Sequence, residues 1–130
     1  MPWVEAFALF AVCHLVGDYL LQTDWQATHK RGGLGADAVA RRALLSHVAT
    51  YTLAFVPALL WVADDAPAGA LWMAGLVALP HLVQDDGRVV EWWMRRVKGA
   101  EIATQRIAAL AVDQSLHIVA LLALALIAGR

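Results

Sequence analysis

Four apolar stretches divide the chain, at about 3–21, 43–63, 66–84 and 107–128. A bilayer's hydrocarbon core of roughly 30 Å asks for about 20 mostly apolar helical residues per crossing, and each stretch meets that length. The second and third contain no Lys, Arg, Asp or Glu. Between them Asp64, Asp65, Ala66 and Pro67 predict a tight turn. Proline suits the opening of a helix, and the carboxylates suit its positive N-terminal end. These two spans therefore read as an antiparallel hairpin. Trp3, Trp25, Trp61, Trp72, Trp92 and Trp93 fall at or near predicted span ends, where indole can bury its ring and keep its N–H in water. The expected fold is all-α: a four-transmembrane-helix bundle forming a single membrane domain over 1–130, with connections at 22–42 and 85–106.

Charge placement orients the bundle. Lys30, Arg31, Arg41 and Arg42 occupy the first connection, Arg88, Arg95, Arg96, Lys98 and Arg106 the third, and only Arg130 lies on the other side. Basic residues mark the cytoplasmic face, so both termini are expected outside. Gly32, Gly33 and Gly35 predict an irregular loop in the first connection. In the third, Val89, Trp92, Trp93, Arg96 and Val97 have helical spacing, which fits either an amphipathic helix over 88–98 on anionic headgroups or a continuation of the third span.

Composition agrees: 61% apolar residues lie above, and 16% charged residues below, what a soluble domain carries. The lone Cys13 excludes an intrachain disulfide and reads as a small core residue. The first stretch, with Glu5 ahead of it and no small-residue cleavage site, reads as a retained span rather than a leader. Gly32–Gly35 lack the Lys-Ser/Thr ending of a phosphate loop. His29, beside Lys30, reads as solvated. No nucleic-acid partner is expected.

A short echo runs through the chain. His14-Leu15-Val16-Gly17-Asp18, followed by Trp25, matches His81-Leu82-Val83-Gln84-Asp85, followed by Trp92, with Asp24 corresponding to Glu91. His47 and His117 fall in the second helix of each half, with an offset differing by three residues. This predicts a two-fold parallel internal repeat of helix hairpins.

Ionisable groups inside a span are costly, on the order of 3 kcal/mol by insertion scales, and need partners in the bundle interior. His14 and Asp18, His81 and Asp85, and Asp113 and His117 are each four residues apart, so each pair shares one helix face. His47 adds another imidazole. Counted from the cytoplasmic end of each span, these residues fall near one depth. His14, Asp18, His47, His81, Asp85, Asp113 and His117 are thus candidate ligands for one or two divalent ions, zinc foremost. Gln22, Asp24, Ser46, Thr50 and Gln114 are candidates to orient them by hydrogen bonds.

The ordered pattern His14-x-x-x-Asp18-Tyr19-x-x-Gln22-Thr23-Asp24, a His in the second span, His81-x-x-x-Asp85 and Asp113-Gln114-x-x-His117 resembles a bacterial family of small membrane proteins characterised only as a domain of unknown function. The resemblance covers nearly the whole chain and implies a multi-pass protein of the bacterial inner membrane, with no established activity. More loosely, the pattern is similar to small membrane families held to be metal-dependent hydrolases.

The expected function is an intramembrane metalloprotein, in one version a zinc hydrolase acting from the cytoplasmic side on a lipid or membrane-delivered substrate, with Asp18 or Asp85 as general base. The alternatives are a proton or divalent-cation relay, a haem-binding bundle, and a non-enzymatic partner subunit whose polar core fixes helix register. A homo-oligomer is compatible with each.

Overall fold

In a computed structural model, residues 2–64 and 67–129 are described. Asp65 and Ala66 of the expected turn, and Arg130, lie outside them. Every regular element among the described residues is helical: α1 (Trp3–Leu15) running into a π-helical turn (Val16–Leu20), α2 (Asp24–His29), α3 (Ala38–Val62), α4 (Pro67–Asp85), α5 (Arg88–Arg96) and α6 (Arg106–Ala128). Among the described residues three segments are long and apolar enough to cross a membrane: Trp3–Leu20, Ala38–Val62 and Arg106–Ala128. The fourth, α4, has 19 residues but is polar in its last turns, with His81, Gln84 and Asp85.

The long helices form a ring. Helix α1 packs on α3 and α6, and α4 packs on the same two from across the bundle. Phe10, Tyr51, Phe55, Leu59, Leu121 and Leu124 are buried between them, and this apolar core fills the half of the bundle away from the long connections. The order long helix, short helix, long helix occurs twice, with α1, α2 and α3 corresponding to α4, α5 and α6.

Several local features depart from the sequence reading. The first connection is not wholly irregular: Thr23 caps α2, its hydroxyl accepting from the Gln26 amide at 3.2 Å while the Gln26 side chain accepts from the Thr23 amide at 3.0 Å. This capping box fastens the helix start. Helix α3 begins well before 43, because the Asp37 carboxylate accepts from the amides of Val39 and Ala40 and starts it at Ala38. Of the two readings of 88–98, the separate helix is the one found, over Arg88–Arg96, since Gly87, at φ 90°, turns the chain left-handed between it and α4. Its Val90 and Met94 bury against Ala109 of α6.

Thr23→Ala removes one partner of the box. A cap of this kind is worth about 1 kcal/mol, so the variant is expected to exchange its 24–30 amides faster in hydrogen-exchange mass spectrometry while the long helices keep their protection.

Candidate metal centre

The first half of the chain delivers Asp18 and His47, and the second half His81, Asp85 and His117, to the end of the bundle that carries the long connections. In α1 the π-helical turn inserts an extra residue into the helical repeat, a local widening that often marks functional positions. It carries Asp18, which is buried. Gly17 permits it: a Cβ there would stand 2.6 Å from Tyr51 Cδ2, so α1 and α3 meet closely because that position has no side chain. Tyr51 stacks on His81, with ring centroids 3.5 Å apart and planes within 6°, which sets the plane of that imidazole.

The polar atoms converge tightly. His47 Nε2 lies 3.0 Å from Asp18 Oδ1, 2.9 Å from Asp85 Oδ2 and 2.9 Å from His81 Nε2. His81 Nε2 lies 3.1 Å from Asp85 Oδ2 and 3.4 Å from Asp18 Oδ1. On the far side of the same carboxylate, His117 Nε2 lies 3.0 Å from Asp85 Oδ1. One ligand atom each from Asp18, His81, Asp85 and His117 falls within 4.8 Å of the others, and all four residues are buried. This group can hold a metal ion.

Each of these ring nitrogens carries at most one proton, yet His47 Nε2 faces two carboxylate oxygens and a second ring nitrogen. His117 is more definite. Its Nδ1 lies 2.7 Å from the Asp113 carbonyl, which only accepts, so Nδ1–H donates there. Nε2 faces Asp85 Oδ1 at 3.0 Å: in the imidazolium it donates there as an ion pair, and in the neutral ring it presents a lone pair that a cation between the two atoms would satisfy. Four donors about 2.0–2.2 Å from a zinc ion stand roughly 3.3–3.6 Å apart, a few tenths of an ångström wider than most of the 2.9–3.4 Å separations found among His47, His81, Asp18 and Asp85. The residues present therefore fit a divalent ion.

Not every candidate faces that centre. Gln114 Nε2 donates to Asp113 Oδ2 at 3.0 Å, which turns its carbonyl oxygen toward His14. His14 Nε2 donates to that oxygen at 2.8 Å, leaving Nδ1 to accept from the Tyr51 hydroxyl at 2.9 Å. His14 thus supports Tyr51, and its Nδ1 stands 3.7 Å from Asp18 Oδ2. Asp113 flanks His117, with Oδ1 3.7 Å from Nδ1. Gln22 accepts from Lys30 Nζ at 2.6 Å. Ser46 accepts from Gln26 Nε2, Thr50 donates to carbonyls of its own helix, and Asp24 is exposed at the start of α2. These three do not touch the cluster.

Three participants were not foreseen. Lys30 reaches inward, its Nζ 2.7 Å from Asp85 Oδ2. Asp86, buried at the end of α4, holds the loop behind Lys30: its Oδ1 accepts from the Leu34 amide at 2.9 Å and its carbonyl from the Gly32 amide at 2.8 Å. Tyr51 sits one turn beyond His47 on the same face, a spacing that the sequence did display.

A helical bundle with apolar, membrane-length segments around a buried His and Asp cluster defines a polytopic membrane protein with a candidate metal centre. The chain belongs to the family described as protein of unknown function (DUF3307), whose model matches residues 6–129. No curated protein and no solved structure matches it.

Proposed function

We propose that this protein is an intramembrane zinc protein of the bacterial inner membrane, with α4 as a fourth span and both termini outside, and that the bound ion activates water for hydrolysis of a substrate delivered by the membrane from the cytoplasmic side. The observation that carries the metal reading is the convergence of one buried ligand atom each from Asp18, His81, Asp85 and His117 within 4.8 Å of one another. Orientation rests on charge: every Lys and Arg except Arg130 belongs to the end with the long connections. Zinc is favoured because imidazole and carboxylate donors at near-tetrahedral separations suit it. Such an ion brings the pKa of a bound water to about 7.

The chain's own residues supply the rest. Asp18 and Asp85 are engaged with ring nitrogens, so the base role expected of them passes to Asp113, the carboxylate that shares a cavity wall with Asp85. Lys30 and Gln22 hold the outer side of Asp85. The apolar core around Phe10, Phe55, Leu59 and Leu124 favours a pocket over a conducting relay. Packing of donors at about 3 Å favours a small ion over haem. Buried ring nitrogens without partners, at His47 Nδ1 and His81 Nδ1, count against a core built only to fix register, since such networks are normally satisfied.

Zinc titration of two variants tests the reading. His81→Ala removes a donor and is expected to abolish stoichiometric binding. His14→Ala loosens only Tyr51 and Gln114, and outer partners of this kind cost about 10–100-fold in affinity. Equal zinc affinity in wild type and His81→Ala would refute the assignment.

A further inference from the structure

The cluster opens on one side. A cavity of about 240 Å³ reaches Asp85 and Asp113 from the connection end of the bundle, and it shares Arg31 and Ile102 with an outer cavity of about 560 Å³. Its far wall is apolar, formed by Val90, Ala109 and Leu110. Leu110 also belongs, with Ile107, to the exposed apolar face of α6, so the wall of the cavity continues into the surface that meets lipid.

Charge accounting indicates what enters. Arg31 pairs with Glu91 at 3.1 Å, and Arg95 with Glu91 at 2.9 Å and Glu101 at 3.3 Å. Lys30 pairs with Asp85. A divalent ion held by Asp18 and Asp85 would take over the charge of both carboxylates, leaving the Lys30 ammonium with only the neutral Gln22 oxygen at 2.6 Å while it lines the cavity. Arg106, at the rim of the outer cavity, has no acidic partner among the described residues. Once the metal is seated, the passage therefore carries unspent positive charge beside the ion and an apolar wall opposite it. An ammonium beside a metal, with a guanidinium at the outer rim, suits the several oxygens of a phosphate. The wall suits an acyl chain.

We propose that this passage binds a phosphate-headed membrane lipid, the head against Lys30 and the chain along Leu110, as the substrate class of the metal centre. The proposal rests on the metal reading above. Lys30 exchanges partners in this scheme: it neutralises Asp85 in the empty site and the lipid phosphate in the loaded one.

The test uses the full chain in detergent, with its zinc content measured and then one equivalent of zinc supplied, and with labelled phosphatidic acid, phosphatidylcholine and inorganic phosphate as probes. Phosphatidic acid is expected to bind about tenfold or more tightly than either of the others. Lys30→Met, which deletes a charged hydrogen bond, should weaken it by about tenfold or more while retaining zinc. Leu110→Trp, on the exposed side of the wall, should weaken it likewise with zinc retained. Equal binding of the two lipids, binding of inorganic phosphate as tight as that of phosphatidic acid, or unchanged affinity in Lys30→Met overturns the lipid assignment. Zinc retention in both variants reports that the bundle is intact. A wild-type chain that takes up no zinc overturns the metal reading instead, so the two failures are separable.

Discussion

Replacing Asp85 with Asn is expected to lower zinc affinity by more than about 100-fold. Outer-shell losses at metal sites already cost about 10–100-fold, and Asp85 stands closer than that. Its Oδ2 meets His47, His81 and Lys30 at 2.7–3.1 Å, and its Oδ1 meets His117 at 3.0 Å. Asn keeps the shape but loses the charge, and one of its two terminal atoms becomes a donor that cannot ligate. Lys30 is left without its carboxylate in the same variant. The bundle should still form, because the apolar core packs away from the site. Competitive titration against a chelating dye, beside a helicity measurement by circular dichroism, checks both parts. Helix content retained with zinc affinity unchanged would show that Asp85 is no ligand.

Gly17→Ala is expected to have the largest effect on stability. The new methyl would stand 2.6 Å from Tyr51 Cδ2 and 3.2 Å from Tyr51 Cα, and the second of these is backbone. The ring has little freedom to yield, since it stacks on His81 and hydrogen-bonds to His14. Overpacking of this kind costs about 1–3 kcal/mol. Because the displaced residue orients His81, zinc affinity should fall along with stability. Gly75→Ala is the natural control: nothing lies within 4 Å of a Cβ there, and helix propensity favours Ala by up to about 1 kcal/mol. Unfolding both variants in detergent should show the first destabilised and the second unchanged or slightly stabilised. Equal midpoints would show that the α1 and α3 contact is looser than described.

Much of this site could be read from sequence because a single periodicity governs it. Residues four apart share a helix face, so His81 with Asp85 and Asp113 with His117 could be paired on sight, and hydrocarbon surroundings supplied the reason for the pairs to meet. Apolar runs likewise located the long helices. Backbone irregularities were less visible. The π-helical turn at Val16–Leu20 leaves no mark in the apolar pattern, and Gly17 was its only sign. The capping box of Thr23 and Gln26 was legible as Thr-x-x-Gln, but the glycines that follow drew the whole connection toward a loop reading. Lys30 was hidden for a different reason. A lysine beside His29 in a basic connection looks solvated, and only the hold of Asp86 on the amides of Gly32 and Leu34 turns that loop inward. His14 shows the opposite limit: spacing put it with Asp18, but Gln114 and Tyr51 claim its nitrogens, and no periodicity encodes such competition between helices.

The central claim is that imidazoles and carboxylates from separate helices surround one ion. X-ray absorption at the zinc edge, on the full chain in detergent with one equivalent of zinc, tests it most directly. The predicted spectrum has a nitrogen and oxygen shell at about 2.0–2.2 Å, with the outer scattering of more than one imidazole. A spectrum of fully hydrated zinc, or one without imidazole scattering, would contradict it.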